Sequence, residues 1–456
     1  MTQRRSSANS RRRKRRRQVI IRRIILIAVI VIVFGLAVFI IARALSAKNN
    51  PKPQQQAGTG ETQTETTTVN PKTGYAPGPP SPAFEGTATI GATGDILLHD
   101  SVLNGAYNGD GEYDFSESFK DVAPYWSALD YMIVNLEVPC GGDDDPTGYP
   151  VFDAPDSIVT DLKEAGVDMC LTATNHTYDC GSMGFSHTQE VLRAENMDYT
   201  GTRLNENESY VVVKDINGIR FGFVCYTYDT RKDPSDWKSL NGIEMNDSDV
   251  NLINSFCYSD LDSFYSSVND NLREMESKDC DVTVVFVHWG EEYMDYPTDY
   301  QEEMAQEMCN MGVDVIIGGH PHVIQEFDVL TGDSGNTTYC LYSMGNAISS
   351  QRKEIMVPEE PRGYTEDGLV MEFTFSKLNN GKVKLTDVYV LPTWVEIGGG
   401  VYYIDPLDSM TDSSSWPVGS MYEAVDSYNR TLERIGEAYP ALRKELGMPE
   451  VPAQVE

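Results

Sequence analysis

Residues 282–292 read VTVVFVHWGEE, and residues 313–322 read VDVIIGGHPH. Both are short apolar runs rich in β-branched residues that end in histidine. Such a run suits a strand buried on both faces, the habit of parallel sheets covered by helices. In an open α/β sheet, ligand sites form beyond the carboxyl ends of the strands. A histidine placed there is a candidate for chemistry rather than surface decoration. The two stretches therefore predict an α/β fold with its site along one sheet edge.

The pattern extends in both directions. Strands are expected at 88–98, 131–136, 168–172, 338–342, 369–375 and 383–391. Two more are expected within 210–228, around the hairpin dipeptide Asn217-Gly218. Helices are expected at 157–165, with Asp156 as N-cap, and at 184–196, 261–276, 300–311 and 421–446. Alternating strands and helices indicate parallel pairings. The late hairpins add antiparallel strands at a sheet edge or in a second sheet. No internal repeat is present.

Five of the six histidines fall at strand ends: His99, His176, His288, His320 and His322. His187 alone sits within a helix. Asp95 follows Gly94 at the end of the first strand and offers hard oxygen ligands. Asn135 and Glu137 are two apart, so an extended chain turns them to one side. Asn175 and His176 follow the third strand, with Asp179 close behind. Glu291 or Glu292 is placed to orient His288. His320 and His322 flank Pro321 in a stiff loop where both imidazoles can turn inward. Neutral imidazole suits Zn, Fe, Ni and Mn-type ions.

The series GD (94–95), NLE (135–137), TNH (174–176), HWGEE (288–292), GGHPH (318–322) and SMGN (343–346) resembles the CapA capsule-synthesis family of poly-γ-glutamate biosynthesis. The resemblance covers residues 86–350, and up to 395. It implies a calcineurin-like metallophosphoesterase fold, a layered α/β sandwich with two central mixed sheets, here preceded by one transmembrane helix. It also implies roles. Asp95 would be the first-strand metal aspartate, Glu137 would take the place of the bridging aspartate, and Asn175 would be a further ligand. His288 and His320 would hold one metal and His322 the other. His176 would assist the transferred group, making His176 and Glu137 the catalytic pair. The implied cofactor is one or two divalent ions, Mn, Zn or Fe. Asn346 takes a structural role. Two departures touch the metal pair. Position 97 is leucine where the superfamily has a histidine, with His99 a possible substitute, and Glu137 is one methylene longer than aspartate.

The rest of the chain sets location. The first 45 residues hold twelve Lys or Arg and no acid; beyond them 24 bases face 69 acids, near −45. Residues 24–42 are nineteen uncharged apolar residues, which nearly span a bilayer core of roughly 30 Å. The basic run 11–17 on one side puts the N-terminus in the cytoplasm and the body outside. The alternative is a cleaved signal peptide with Ala42-Arg43-Ala44 as its site; the length of the apolar run favours a retained anchor. The expected division is a basic cytoplasmic tail at 1–23, an anchor at 24–45, a disordered linker at 46–84 rich in Pro, Gln and Thr, a domain at 85–395, and a helical extension at 396–456. Eight cysteines lie on the outer side without a CxxC pair, so a thiolate zinc site is not expected. Cys170 and Cys180 bracket the site loop and are the pair considered for a disulfide.

Three functions follow as expectations. The first is a membrane-anchored protein in synthesis, export or anchoring of poly-γ-glutamate or a related envelope polymer. Its partners would be the membrane, a separate ligase (no P-loop is present), export subunits and an anionic polymer. The second is a metal-dependent phosphoesterase or other hydrolase acting on a phosphoester. The third is a catalytically degenerate structural envelope domain. Nucleic acid is not an expected partner, because the basic run beside a span serves topology.

Overall fold

The computed structural model describes residues 84–456 apart from 143, 144, 357, 358, 360, 453 and 456. The expected tail and anchor, and the linker up to residue 83, lie outside the described residues. Phe84, the last residue assigned to the linker, instead opens the first strand, Phe84–Ile96. Among the described residues no helix is long and apolar enough to cross a membrane.

Two large mixed sheets form the centre. The first orders its strands Val401–Pro406, Val383–Gly398, Asp367–Leu378, Phe84–Ile96, Tyr131–Leu136, Met169–Leu171 and Asp198–Thr200. Asn346–Ile348 also pairs with the end of Phe84–Ile96. The second orders Ser255–Phe256, Ile219–Tyr228, Val282–His288, Val315–Gly319, Thr337–Leu341 and Phe327–Thr331, with Val212–Ile216 beside Ile219–Tyr228. The strands leading to the site run parallel: Phe84–Ile96 with Tyr131–Leu136 and Met169–Leu171, and Val282–His288 with Val315–Gly319. Asn217 and Gly218, both at positive φ, turn the antiparallel hairpin expected there.

Side-chain alternation explains the layering. Val284 and Phe286 face inward, against Ile90, Ile133 and Phe373 of the other sheet. Their neighbours Val285 and Val287 face outward, beneath Phe264, Met304 and Met308. Val134 and Leu136 do the same on the other side, beneath Ile158, Leu162 and Leu192. The result is helices, sheet, sheet, helices, with both sheets buried on two faces. That burial is why the strands read as continuous apolar runs.

The C-terminal boundary needs correction. Position 395 falls inside the strand Val383–Gly398, and Val401–Pro406 adds one more strand after the Gly399-Gly400 turn. The expected single helix at 421–446 is two, Met421–Arg434 and Ala438–Glu445, separated at Gly436 with φ 80°. Tyr439 and Leu442 join the inner core, so this segment is part of the domain. Asp156 does not cap its helix by side chain; its carboxylate takes His187 Nε2 at 2.9 Å. Cys170 is buried, and Cys180 Sγ donates to the Phe152 carbonyl at 3.1 Å, so the bridge considered between them is not formed.

One buried acid gives a stability prediction. Asp405 is 1 % exposed, and its Oδ2 has no hydrogen-bond partner. Burial, and then neighbouring Glu396, push its carboxyl up to about 8. The folded chain thus keeps a proton that the unfolded chain releases near pH 4. Stability falls as pH rises from about 4 to 8. Thermal unfolding should show Asp405→Asn losing less stability than wild type between pH 5 and pH 8. Parallel profiles would contradict the assignment.

Candidate metal centre

The six expected ligands converge at one end of the two sheets. In register, Asp95 lies beside Asn135, and Asn135 beside Leu171; His288 lies beside Gly319 and Thr227. Thr93 pairs with Val134 and Asp95 with Asn135, so Gly94 is an extra residue that bulges the strand and re-aims Asp95. A Cβ on Gly94 would stand 1.8 Å from the Gly345 carbonyl oxygen, which leaves room only for glycine. His320 and His322 both hold left-handed backbone, with φ 95° and 57°. Such conformations cost on the order of 1–3 kcal/mol each and concentrate at functional sites.

Glu137 sits at the centre, fully buried, and neither carboxylate oxygen accepts a hydrogen bond. Two ligand groups share it: Asp95, Glu137 and His288, and Glu137, His320 and His322. Within each, the candidate ligand atoms lie within 4.8 Å of one another, and all five residues are buried. This pairs His320 with His322, and His288 with Asp95. The resemblance places His288 and His320 on one ion, and their rings are 4.9 Å apart.

Neighbours orient each ligand. Asn135 Nδ2 donates to Asp95 Oδ1 at 2.7 Å, and His322 Nδ1 meets Oδ2 at 2.9 Å. His288 Nε2 donates to Asn175 Oδ1 at 2.7 Å and lies 3.4 Å from Glu137 Oε1. Tyr228 OH is 3.2 Å from His320 Nε2, while His320 Nδ1 has no partner. Beside the ligands, His176 Nδ1 bonds Asp179 Oδ2 at 2.7 Å, and the same oxygen accepts from the Phe152 amide at 2.9 Å. This fixes the imidazole and leaves Nε2 as the atom available to a ligand.

Charge is distributed unevenly. Burial, then the adjacent Asp95, holds Glu137 well above the usual carboxylate range. Burial also opposes ionisation of Asp95, but His322, His288 and Asn135 outweigh it and bring Asp95 below its ordinary value. Burial lowers His288 to about 3 and takes His320 well down. His322 goes the other way, to about 9, because Glu137 and Asp95 outweigh its burial. A buried carboxylate without donors, beside a neutral imidazole with a bare nitrogen, is a donor set that a divalent cation would satisfy. The residues therefore fit the implied metal.

His99 does not stand in for the missing ligand. Leu97 and Leu98 continue into the core, and His99 begins the helix Asp100–Ala106. It lines a cavity of about 280 Å³ with His176 and His322, edge-on to Phe152. Asn346 is buried and donates to Ser349, Gln351 and Thr365, a loop-holding role as expected. Tyr228 was not anticipated; its one signal was its place at the end of the hairpin's second strand. Asn135 and Asp179 lie beside the site residues in the sequence, and the structure sets them against Asp95 and His176.

The family described as "Bacterial capsule synthesis protein PGA_cap" matches residues 89–351, more than half the chain and every residue of this site. The chain belongs to that family. It is 29 % identical over 279 residues to the capsule biosynthesis protein CapA of Bacillus anthracis, covering 58 % of this chain and 60 % of that protein. It is 25 % identical over 280 residues to the PGA biosynthesis protein CapA of Bacillus subtilis (strain 168), covering 59 % and 64 %. The match thus spans less than two thirds of either relative. Among solved structures, the NAD nucleotidase NadN of Haemophilus influenzae overlaps at TM-score 0.41 and 12 % identity, over 79 % of this chain and 66 % of that one. The purple acid phosphatase PPD1 of yellow lupin overlaps at 0.33 and 11 %, over 67 % and 53 %. Scores this low carry no activity across.

Two outcomes test the centre. His320→Ala should weaken Mn²⁺ binding by about 100-fold, while His187→Ala, a surface pair with Asp156, should leave it unchanged; calorimetric titration reads both. In the metal-free protein His322 holds its proton up to about pH 9. Coordination must displace that proton, so affinity should rise from pH 6 to pH 9. Equal affinity in His320→Ala, or affinity falling with pH, would contradict the site.

Proposed function

We propose that the chain is a membrane-anchored, extracytoplasmic protein that handles poly-γ-glutamate or a related capsular polymer at a divalent-metal centre. One observation carries the reading: the family match at 89–351 contains the whole buried ligand set around Glu137. A protein needing only a scaffold has no use for two strained histidines and an unpartnered carboxylate in its core. The basic run and the apolar run at 24–42 support the anchor. The ligase and export subunits would be separate proteins.

Asp95, Glu137, Asn175, His288, His320 and His322 would hold the metal. A bound divalent ion supplies Lewis acidity and a water of lowered pKa. The chain's own groups do the rest. Asn135 holds Asp95 in place, and Asn175 holds His288. Asp179 fixes His176 so that its Nε2 can give or take a proton at the ligand's reacting oxygen or nitrogen. Phe152 packs on His176 at 4.8 Å and limits water on that side.

That His176–Asp179 pair favours a second reading, in which the chain is itself a phosphoesterase or other hydrolase of metallophosphoesterase type. The two readings are compatible. Deleting the gene should abolish surface polymer, and complementation should restore it with wild type but not with Glu137→Ala. Polymer unchanged in the deletion strain would overturn the first reading. Full-length protein loaded with Mn²⁺ or Zn²⁺ that cleaves neither phosphodiester nor γ-glutamyl substrates would overturn the second.

A further inference from the structure

The cavity beside the metal ligands has an unusual charge balance. Among the described residues no Lys or Arg lines it. Its wall includes His99, His176 and His322, the rings of Tyr149 and Tyr293, and the carboxylates of Glu292 and Glu359. Bases do lie on the surrounding loops, but each is turned into an ion pair elsewhere. Arg352 meets Glu366 at 3.3 Å, Lys353 meets Glu423 at 2.9 Å, and Arg362 meets Asp295 at 2.6 Å. On the helix Met421–Arg434, Arg430 pairs with Asp367 and Arg434 with Asp295. Glu292, by contrast, pairs with no Lys or Arg among the described residues; the one charged base it faces is His322, and it is exposed to the cavity.

An anionic polymer should meet such a cavity badly. Beyond His322 and the metal it would help hold, the polymer's side-chain carboxylates would face Glu292, Glu359 and an acidic surface, with no guanidinium or ammonium to receive them. The metal ligands beside the cavity nevertheless call for an oxygen-bearing ligand. Both demands are met by a ligand whose cationic group sits near its metal-seeking oxygen. Aromatic faces help, since Tyr149 and Tyr293 can attract a cation through their ring quadrupoles. Tyr149 is 69 % exposed, so it stands at the mouth rather than within the core.

We infer that Glu292 and Glu359, with Tyr149 and Tyr293, make the cavity selective for a ligand terminus bearing a primary ammonium group. Resting on the polymer reading above, that terminus is the free amino end of the γ-linked glutamyl chain, so the polymer enters end-on. The bulk of the chain stays outside, where its charge is screened.

The test uses the full-length protein in detergent with Mn²⁺ present. Binding of a γ-glutamyl tetramer is measured by calorimetry with its amino end free, and again with that end acetylated. Acetylation should weaken binding to wild type about fivefold or more, from the lost ion pair and ring contact. Glu292→Gln together with Glu359→Gln should erase that preference, while Glu291→Gln, a neighbour off the cavity wall, should keep it. Melting curves establish that both variants fold. Equal binding of the two tetramers by wild type, or a preference that survives in the double variant, would overturn the inference alone. No binding of either tetramer would overturn the polymer reading, and this inference with it.

Discussion

The Glu137 carboxylate is the constraint on which the site depends. It is fully buried and accepts no hydrogen bond, an arrangement that costs several kcal/mol unless a proton or a cation neutralises it. The fold makes no attempt to supply a donor. It surrounds Glu137 with Asp95, His288, His320 and His322 instead, each held by a neighbour on a different strand end. Parallel strands from both sheets must therefore end together, and the buried apolar runs exist to bring them there. The left-handed backbone at His320 and His322 and the bulge at Gly94 are local costs of the same convergence.

The electrostatics of the metal-free centre follow from that carboxylate. Asp95 ionises because His322 stands against it, and His322 keeps its proton because two carboxylates face it. His288 and His320 stay neutral through burial and so keep the lone pairs a cation needs. Protons occupy the charge balance that a divalent ion would take over. His176 stands apart from this exchange: its partner Asp179 lies three residues along the same loop and is braced by the Phe152 amide. Among the described residues His176 belongs to neither ligand group.

Much of this was legible in the chain. VTVVFVH and the run ending in GGHPH announce two-faced burial and mark where the sheet edge must be. The placement of Asp95, Glu137, Asn175, His288, His320 and His322 at successive strand ends follows from that reading. His99 misled because sequence spacing does not tell whether a chain turns toward a site or into a helix, and buried Leu97 and Leu98 decide it. The edge strand Val401–Pro406 was hidden by the glycines before it. Asn135 and Asp179 were visible as polar residues near the site, but only the packed structure shows which atoms they hold. Tyr228 arrives from a strand two places away in the sheet that leads to His320, and no local pattern reports such a partner.

The central claim is that Glu137 is buried to meet a divalent cation. Thermal unfolding of the full-length protein at pH 7.5, in chelator and in Mn²⁺, tests it most directly for wild type and Glu137→Gln. In chelator the glutamine variant should be at least as stable as wild type, since it removes a carboxylate that has no donor. Excess Mn²⁺ should raise the melting temperature of wild type, by about 2.7 kcal/mol of stability at a hundredfold excess over Kd, and leave the variant nearly unmoved. A wild type indifferent to Mn²⁺, or a variant stabilised by it equally, would contradict the account.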